Sequence, residues 1–209
     1  VDLAVREWSD ANRPEFAYWI ARVFNFLGQG GWLLTPLAAI LGIATGVRAR
    51  SIRPLLVVVA AFILTYVTIG PFKLWTDRAA PSSTLPPEES VQIFNRLPAT
   101  EYSMSYPSGH VANAIIWYGV IALLLVSLLR TLGRPNPPAG LALAIRIAPP
   151  AILFFTTTYL SFHWLTDSIA GLLLGLFVDR LLARVPWDDL PLPELPGDVH
   201  RPGVFTRAP

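Results

Sequence analysis

Tyr106-Pro107-Ser108-Gly109-His110 (YPSGH) leads directly into an uncharged apolar run, VANAIIWYGVIALLLVSLL, over Val111–Leu129. Pro107 cannot continue a helix from its N-terminal side, and Ser108 is a good N-cap, so the cluster marks a helix start. At such a start the first backbone N–H groups have no intrahelical acceptor, and the positive end of the helix dipole points outward. That is a ready place for an anion such as phosphate. His110 adds a proton donor or acceptor beside it. The apolar run is about as long as the ~20 residues that cross a bilayer, so the reading of this stretch is a spanning helix with a polar site at its mouth.

Composition agrees with a membrane bundle. Of the 209 residues, 53% are hydrophobic and only 14% charged, and the mean hydropathy is +0.50, too apolar for an ordinary soluble domain. A formal net charge of +2 is too small for a nucleic-acid binder, so the arginines are read as topology markers. Cysteine is absent, which excludes a disulfide framework, thiol chemistry and cysteine metal sites. A start at Val1 implies an upstream segment that has been removed or lies beyond this chain.

Outward from Val111–Leu129, four further spanning candidates follow: Gly31–Val47, Pro54–Phe72, Gly140–Leu160 with Arg146 in its first turns, and Trp164–Leu182 with Asp167 and Asp179 near its ends. Arg48, Arg50 and Arg53 fill the first link, Arg130, Arg134 and Arg146 flank the third, and Arg180 and Arg184 follow the last span. The positive-inside rule makes this face cytoplasmic. The N-terminal segment, the long loop over residues 73–108 and the turn at Ser161–His163 then lie outside. Five spans put the N-terminus outside and the C-terminus inside, and an upstream sixth would reverse the former. Residues 1–30, rich in aromatics, read as an amphipathic interfacial segment. Residues 31–184 read as the bundle, and 185–209, rich in Pro, Asp and Glu, as a disordered cytoplasmic tail.

Topology brings three polar clusters to one leaflet: Lys73 ends the second span, His110 begins the third, and His163 lies between the fourth and fifth. Ionisable groups at span ends are expensive unless paired, which makes them functional candidates. His163 and Asp167 are four apart, on one helix face. A carboxylate on one imidazole nitrogen fixes the tautomer and leaves the other nitrogen free to attack, and His110 is placed to protonate a leaving group. Lys73, the chain's lone lysine, and Arg78 would neutralise phosphate charge. This is phosphomonoester hydrolysis through a phosphohistidine, with no cofactor. A metal site at His110, His163 and Asp167 has no H-E-x-x-H or similar motif behind it, so none is expected.

These residues resemble the type 2 phosphatidic acid phosphatase family, whose signature is K-x6-R-P, then P-S-G-H, then S-R-x5-H-x3-D. The resemblance covers about residues 30–184. It matches at Lys73 and Pro81, in full at Pro107-Ser108-Gly109-His110, and at His163 and Asp167. It implies that His163 is the nucleophile, Asp167 its orienting partner and His110 the general acid, with Ser108, the Gly109 backbone and Lys73 holding phosphate. Two departures stand out. Ala80 occupies the arginine slot of the first motif, with Arg78 the nearest basic residue, and Thr156-Thr157 occupy the Ser-Arg pair of the third. Both arginines that grip phosphate bidentately in the family are missing. Arg78, or Arg96, is the expected substitute, with Thr157 and Thr158 giving neutral bonds.

The expectation is an all-α polytopic bundle in a bacterial inner membrane, its site facing the periplasm or cell exterior. Its expected substrate is a lipid phosphate: a polyprenyl phosphate or pyrophosphate, a polyprenyl-phosphate sugar phosphate, or a phosphoglycerolipid, reached laterally from the bilayer. The alternatives are a degenerate homologue that binds a lipid phosphate or a partner protein without turnover, and a phosphoryl transferase to an acceptor other than water.

Overall fold

The computed structural model describes residues 1–95, 104–193 and 199–205. Eight α-helices are found there: α1 (Asp2–Ala11), α2 (Glu15–Asn25), α3 (Thr35–Ala49), α4 (Arg53–Thr76), α5 (Pro87–Ser90), α6 (Gly109–Thr131), α7 (Ala139–Tyr159) and α8 (Leu165–Arg184). A 3-10 turn at Phe26–Gly28 and a π turn at Gly30–Leu34 join α2 to α3. The fold is an all-α bundle, and four helical segments are long and apolar enough to cross a membrane: Gly30–Ala49, α4, α6 and α7.

The expected fifth span, Trp164–Leu182, corresponds to α8, a 20-residue helix that stands outside that set because it carries Asp167, Asp179, Arg180 and Arg184. Two of those charges are paired, one of them fully buried. Asp167 is paired as described below, and Asp179 receives both oxygens' bonds from Arg146 of α7 at 3.0 Å. Arg146 is therefore an ion-pair partner as well as a charge near a span end.

The apolar runs sort by position. In α6 most residues are buried, whereas α3, α4 and α7 bury only a minority and present side chains such as Phe62, Tyr66 and Phe155 outward. A helix apolar all round belongs in the middle, and outward apolar side chains are expected where the solvent is lipid. Leu34, Val57, Ile116, Trp117, Leu124 and Val178 anchor the core between α3, α4, α6 and α8. Gly171 and Gly175 of α8 allow its close approach to α6. A Cβ on Gly171 would lie 2.5 Å from the Ser108 carbonyl oxygen, and one on Gly175 3.0 Å from the Ala112 Cα. Small residues four apart are a recurrent device for close helix contact in membranes.

Helix ends follow local chemistry. The Ser108 hydroxyl accepts from the Val111 amide at 3.4 Å, as an N-cap should. Pro36 and Pro54 sit in the first turns of α3 and α4. Arg50 and Asp77 adopt left-handed backbone at the C-caps of the same helices.

The C-terminal stretch departs from the expected disorder in its described parts. Trp187 and Phe205 pack on the core, and Arg53 donates to the Trp187 carbonyl at 2.6 Å. The buried Asp188 carboxylate accepts from the Val204 and Phe205 amides at 2.8 and 2.9 Å. Ser51 and His200 form a β-bridge. The composition of this stretch is loop-like, but two aromatics, one capping carboxylate and the contacts with Ser51 and Arg53 fasten its described parts.

A Gly171→Val substitution is expected to push α8 away from the start of α6 and to destabilise the fold by about 1–3 kcal/mol, read as a lower Tm of the detergent-solubilised protein.

Candidate functional site

The C-terminal end of α4, the N-termini of α6 and α8 and the C-terminal end of α7 meet at one end of the bundle. His110 and His163 come together there: His110 Nδ1 lies 3.3 Å from His163 Nε2, with ring centroids 5.5 Å apart. His163 is buried. Its Nδ1 faces the Ser105 carbonyl oxygen at 3.0 Å and Asp167 Oδ2 at 3.7 Å. With a carbonyl as its near partner, Nδ1 is the protonated nitrogen, and the Nε2 lone pair is turned towards His110.

Asp167 is fully buried and satisfied on every side. Oδ2 accepts from the Ser105 hydroxyl at 2.5 Å and from the Trp164 amide at 3.0 Å, and Oδ1 accepts from Arg78 at 2.5 Å. The bond to Trp164 also fastens the first turn of α8, because Asp167 occupies the third helical position. One carboxylate thus caps the helix that carries it and positions the imidazole four residues earlier.

Arg78 corrects the sequence expectation. It does not face the histidine pair. It is 2% exposed, and its guanidinium is engaged by Asp167, the Thr166 hydroxyl at 2.7 Å, Asp2 at 2.8 Å and the Val91 carbonyl at 2.6 Å. Its carbonyl accepts the Ser105 amide at 2.9 Å. Arg78 is a brace behind Asp167 and Ser105, and no donor of its guanidinium head, Nη1 or Nη2, is left for a phosphate. Thr157 is likewise turned away. Its hydroxyl donates to the Leu153 carbonyl at 2.7 Å, while its own carbonyl accepts the His163 amide at 3.3 Å. Thr158 donates to the Phe154 carbonyl at 3.0 Å and lies 3.0 Å from the Ser168 hydroxyl. Ala80, in the arginine slot, is buried. Arg96 lies outside the described residues.

The remaining phosphate-side candidates do converge. Lys73 bonds to the Met104 carbonyl, and its stem runs beside Gly109, whose virtual Cβ is 3.6 Å from Lys73 Cε. Gly109 and His110 open α6, where backbone amides have no acceptor within the helix. Ser108 is buried, its amide donating to the Asp167 carbonyl at 2.9 Å. Among the described residues no group of three or more His, Asp or Glu is arranged to hold a metal ion.

Sequence reasoning missed three contributors. Ser105 touches both His163 and Asp167, and its nearness to the Pro-Ser-Gly-His motif was the available signal. Asp2 supports Arg78 and accepts from the Thr166 amide at 3.0 Å, an arrangement a lone acid in an aromatic-rich segment does not announce. Gly28 lies against His110, whose Cδ2 would be 3.1 Å from an added Cβ. Beside Pro107, an apolar groove of about 470 Å³ runs from Phe72 and Tyr106 along Ile169 and Leu173 of α8 to Phe177.

The PAP2 superfamily matches residues 54–190, which takes in every motif residue above. The structure is also similar to the crystal structure of the first transmembrane PAP2 type phosphatidylglycerolphosphate phosphatase from Bacillus subtilis. The TM-score is 0.66 and the identity 25%, over 87% of this chain and 82% of that one. No curated protein sequence matches the chain.

Removing the brace leaves two buried carboxylates without their counter-charge. Arg78→Ala is expected to destabilise the protein by about 3–5 kcal/mol, seen in thermal unfolding. Arg78→Lys should recover little of this, because one ammonium cannot span Asp2 and Asp167 together.

Proposed function

The chain belongs to the PAP2 superfamily, and from that membership we propose that this multi-pass membrane protein hydrolyses a lipid phosphate through a phosphohistidine on His163. The observation that carries the reading is the histidine pair. His163 has its Nδ1 proton held by the Ser105 carbonyl, and its Nε2 lies 3.3 Å from His110 beside Lys73 and the opening amides of α6.

In the proposed reaction the His163 Nε2 lone pair attacks phosphorus, the P–O ester bond breaks, and His110 gives a proton to the departing oxygen. Asp167 steadies the imidazolium that forms. Water, deprotonated by His110, then attacks phosphorus; the P–N bond breaks and inorganic phosphate leaves. Lys73, Ser108 and the Gly109 and His110 amides hold the phosphoryl oxygens. The 3.3 Å between the ring nitrogens has no room for phosphorus, so the His110 ring turns aside when substrate binds.

The substrate side is argued from the groove beside Pro107, whose apolar walls suit an acyl or prenyl chain that enters from the bilayer. The relative is a phosphatidylglycerolphosphate phosphatase by its description, which favours a glycerolipid phosphomonoester, with a polyprenyl phosphate or pyrophosphate next. In this reading α8 crosses the bilayer as a fifth span with its charges paired, the site faces the periplasm or cell exterior, and α2 lies in the interface with Phe16, Trp19 and Val23 exposed to lipid.

A second reading has one observation behind it. Neither arginine slot of the family motif holds an arginine, and Arg78 is engaged elsewhere. A protein that binds a lipid phosphate and releases it unchanged would show this pattern.

Phosphate release by the purified protein, over a panel of lipid phosphates with EDTA present, separates the two. Activity that survives EDTA, disappears in His163→Ala and falls about 10²–10⁴-fold in His110→Ala is expected. Lipid binding with no release from any substrate would establish the second reading. In an active protein, Lys73→Ala is expected to lower kcat/KM about 10²-fold, as loss of one transition-state donor does.

A further inference from the structure

At the end of the bundle opposite the histidines, about 30 Å from His110 to Arg130 along α6 at 1.5 Å per residue, the structure holds a second basic concavity. It is a cavity of about 680 Å³ between the C-terminal ends of α3 and α6 and the C-terminal stretch of the chain. Four arginines line it: Arg48 from α3, Arg130 from α6, Arg134 from the following loop and Arg201 from the tail. No carboxylate is among its described lining residues. All four arginines are exposed to solvent along part of their length.

Two features distinguish this cavity from arginines scattered over a membrane surface. The tail is folded to build it: Asp188 caps the Val204 and Phe205 amides, the isolated Ser51–His200 bridge fixes the residue before Arg201, and the Arg201 amide donates to the Arg50 carbonyl at 3.2 Å. Arg130 is aimed by the Phe205 carbonyl at 2.8 Å and by Asn136 at 3.0 Å. The side chains of Arg48 and Arg134 make no hydrogen bond or ion pair among the described residues. Two arginines are thus held in place and two are left to bond a ligand. Four positive charges meet in one hollow of a chain whose net charge is only +2.

We propose that this cavity binds a phosphoanion, supplied by the headgroup of an anionic phospholipid in the leaflet opposite the histidines. Guanidinium forks match the paired oxygens of a phosphate. Basic hollows between spanning helices at a membrane surface take anionic headgroups, and the volume lies within the usual range of about 300–1,000 Å³ for small-molecule sites. The site stands apart from His110 and His163 and does not rest on the phosphatase reading. A lipid held there would fasten the tail to α3 and α6.

The test uses the full chain in an uncharged detergent, in a His163→Ala background that removes turnover. Binding of dioleoylphosphatidylglycerol, dioleoylphosphatidylcholine and inorganic phosphate is followed by native mass spectrometry and thermal shift. Arg48→Ala/Arg134→Ala is expected to weaken phosphatidylglycerol binding about tenfold or more. Arg48→Lys/Arg134→Lys should retain most of it, and phosphatidylcholine should bind no variant preferentially. An arginine-dependent shift with inorganic phosphate as large as that with lipid supports the site and makes a free phosphoanion its source. Unchanged phosphatidylglycerol binding in the double alanine variant overturns the proposal. So does an equal loss in Arg50→Ala/Arg184→Ala, which removes the same charge outside the cavity.

Discussion

The buried contact between Arg78 and Asp167 is the constraint on which the rest of the histidine end depends. Asp167 is withdrawn from solvent and has no water to replace a lost partner. It caps α8 through the Trp164 amide, holds the Ser105 hydroxyl and stands behind His163. Arg78 matches its charge and, through its own carbonyl, holds Ser105, whose carbonyl fixes the His163 tautomer. Asp2 then answers the remaining side of the guanidinium and, through Thr166, the first turn of α8. A helix cap, an imidazole orientation and the docking of α1 are consequences of one ion-pair network.

Much of this end was legible in the sequence because it is written in local chemistry. Ser108 and Gly109 announce the start of α6, the four-residue spacing puts His163 and Asp167 on one face, and hydropathy brings Lys73, His110 and His163 to the same end. The expected role of Arg78 failed for a physical reason. Its position two residues before the arginine slot suggested a guanidinium able to reach the phosphate, yet the sequence carries no sign that Asp2, far away along the chain, would hold it. Thr157 failed similarly, because a threonine inside a helix bonds its own backbone when no stronger partner faces it. The tail misled by composition: Pro and acid suggest disorder, but Trp187, Phe205 and Asp188 supply enough contacts to order its described parts. The spacing of Gly171 and Gly175, readable in principle, sets how closely α8 can approach α6.

The two ends of the bundle solve opposite problems. At the histidine end buried charges are neutralised by one another, so polar atoms stand in fixed positions and little is left open. At the other end the arginines that line the cavity remain partly exposed to solvent. Between them Arg146 of α7 and Asp179 of α8 pair with one another. Among the described residues, the helices long and apolar enough to cross a membrane thus hold no unpaired charge in their middle turns.

The 3.3 Å contact between the histidine rings has a further meaning for selectivity. The lone pair that would attack phosphorus is already met by the neighbouring imidazole, so the resting site is occupied by its own side chains. Anything that binds must first displace that contact. A bare phosphate has only its charge to set against the displacement, whereas a lipid also brings a hydrocarbon chain to the groove beside Pro107. On the proposed reading, discrimination between free phosphate and phosphorylated lipid resides in the opening of the site, and the protein resists inhibition by the inorganic product it releases.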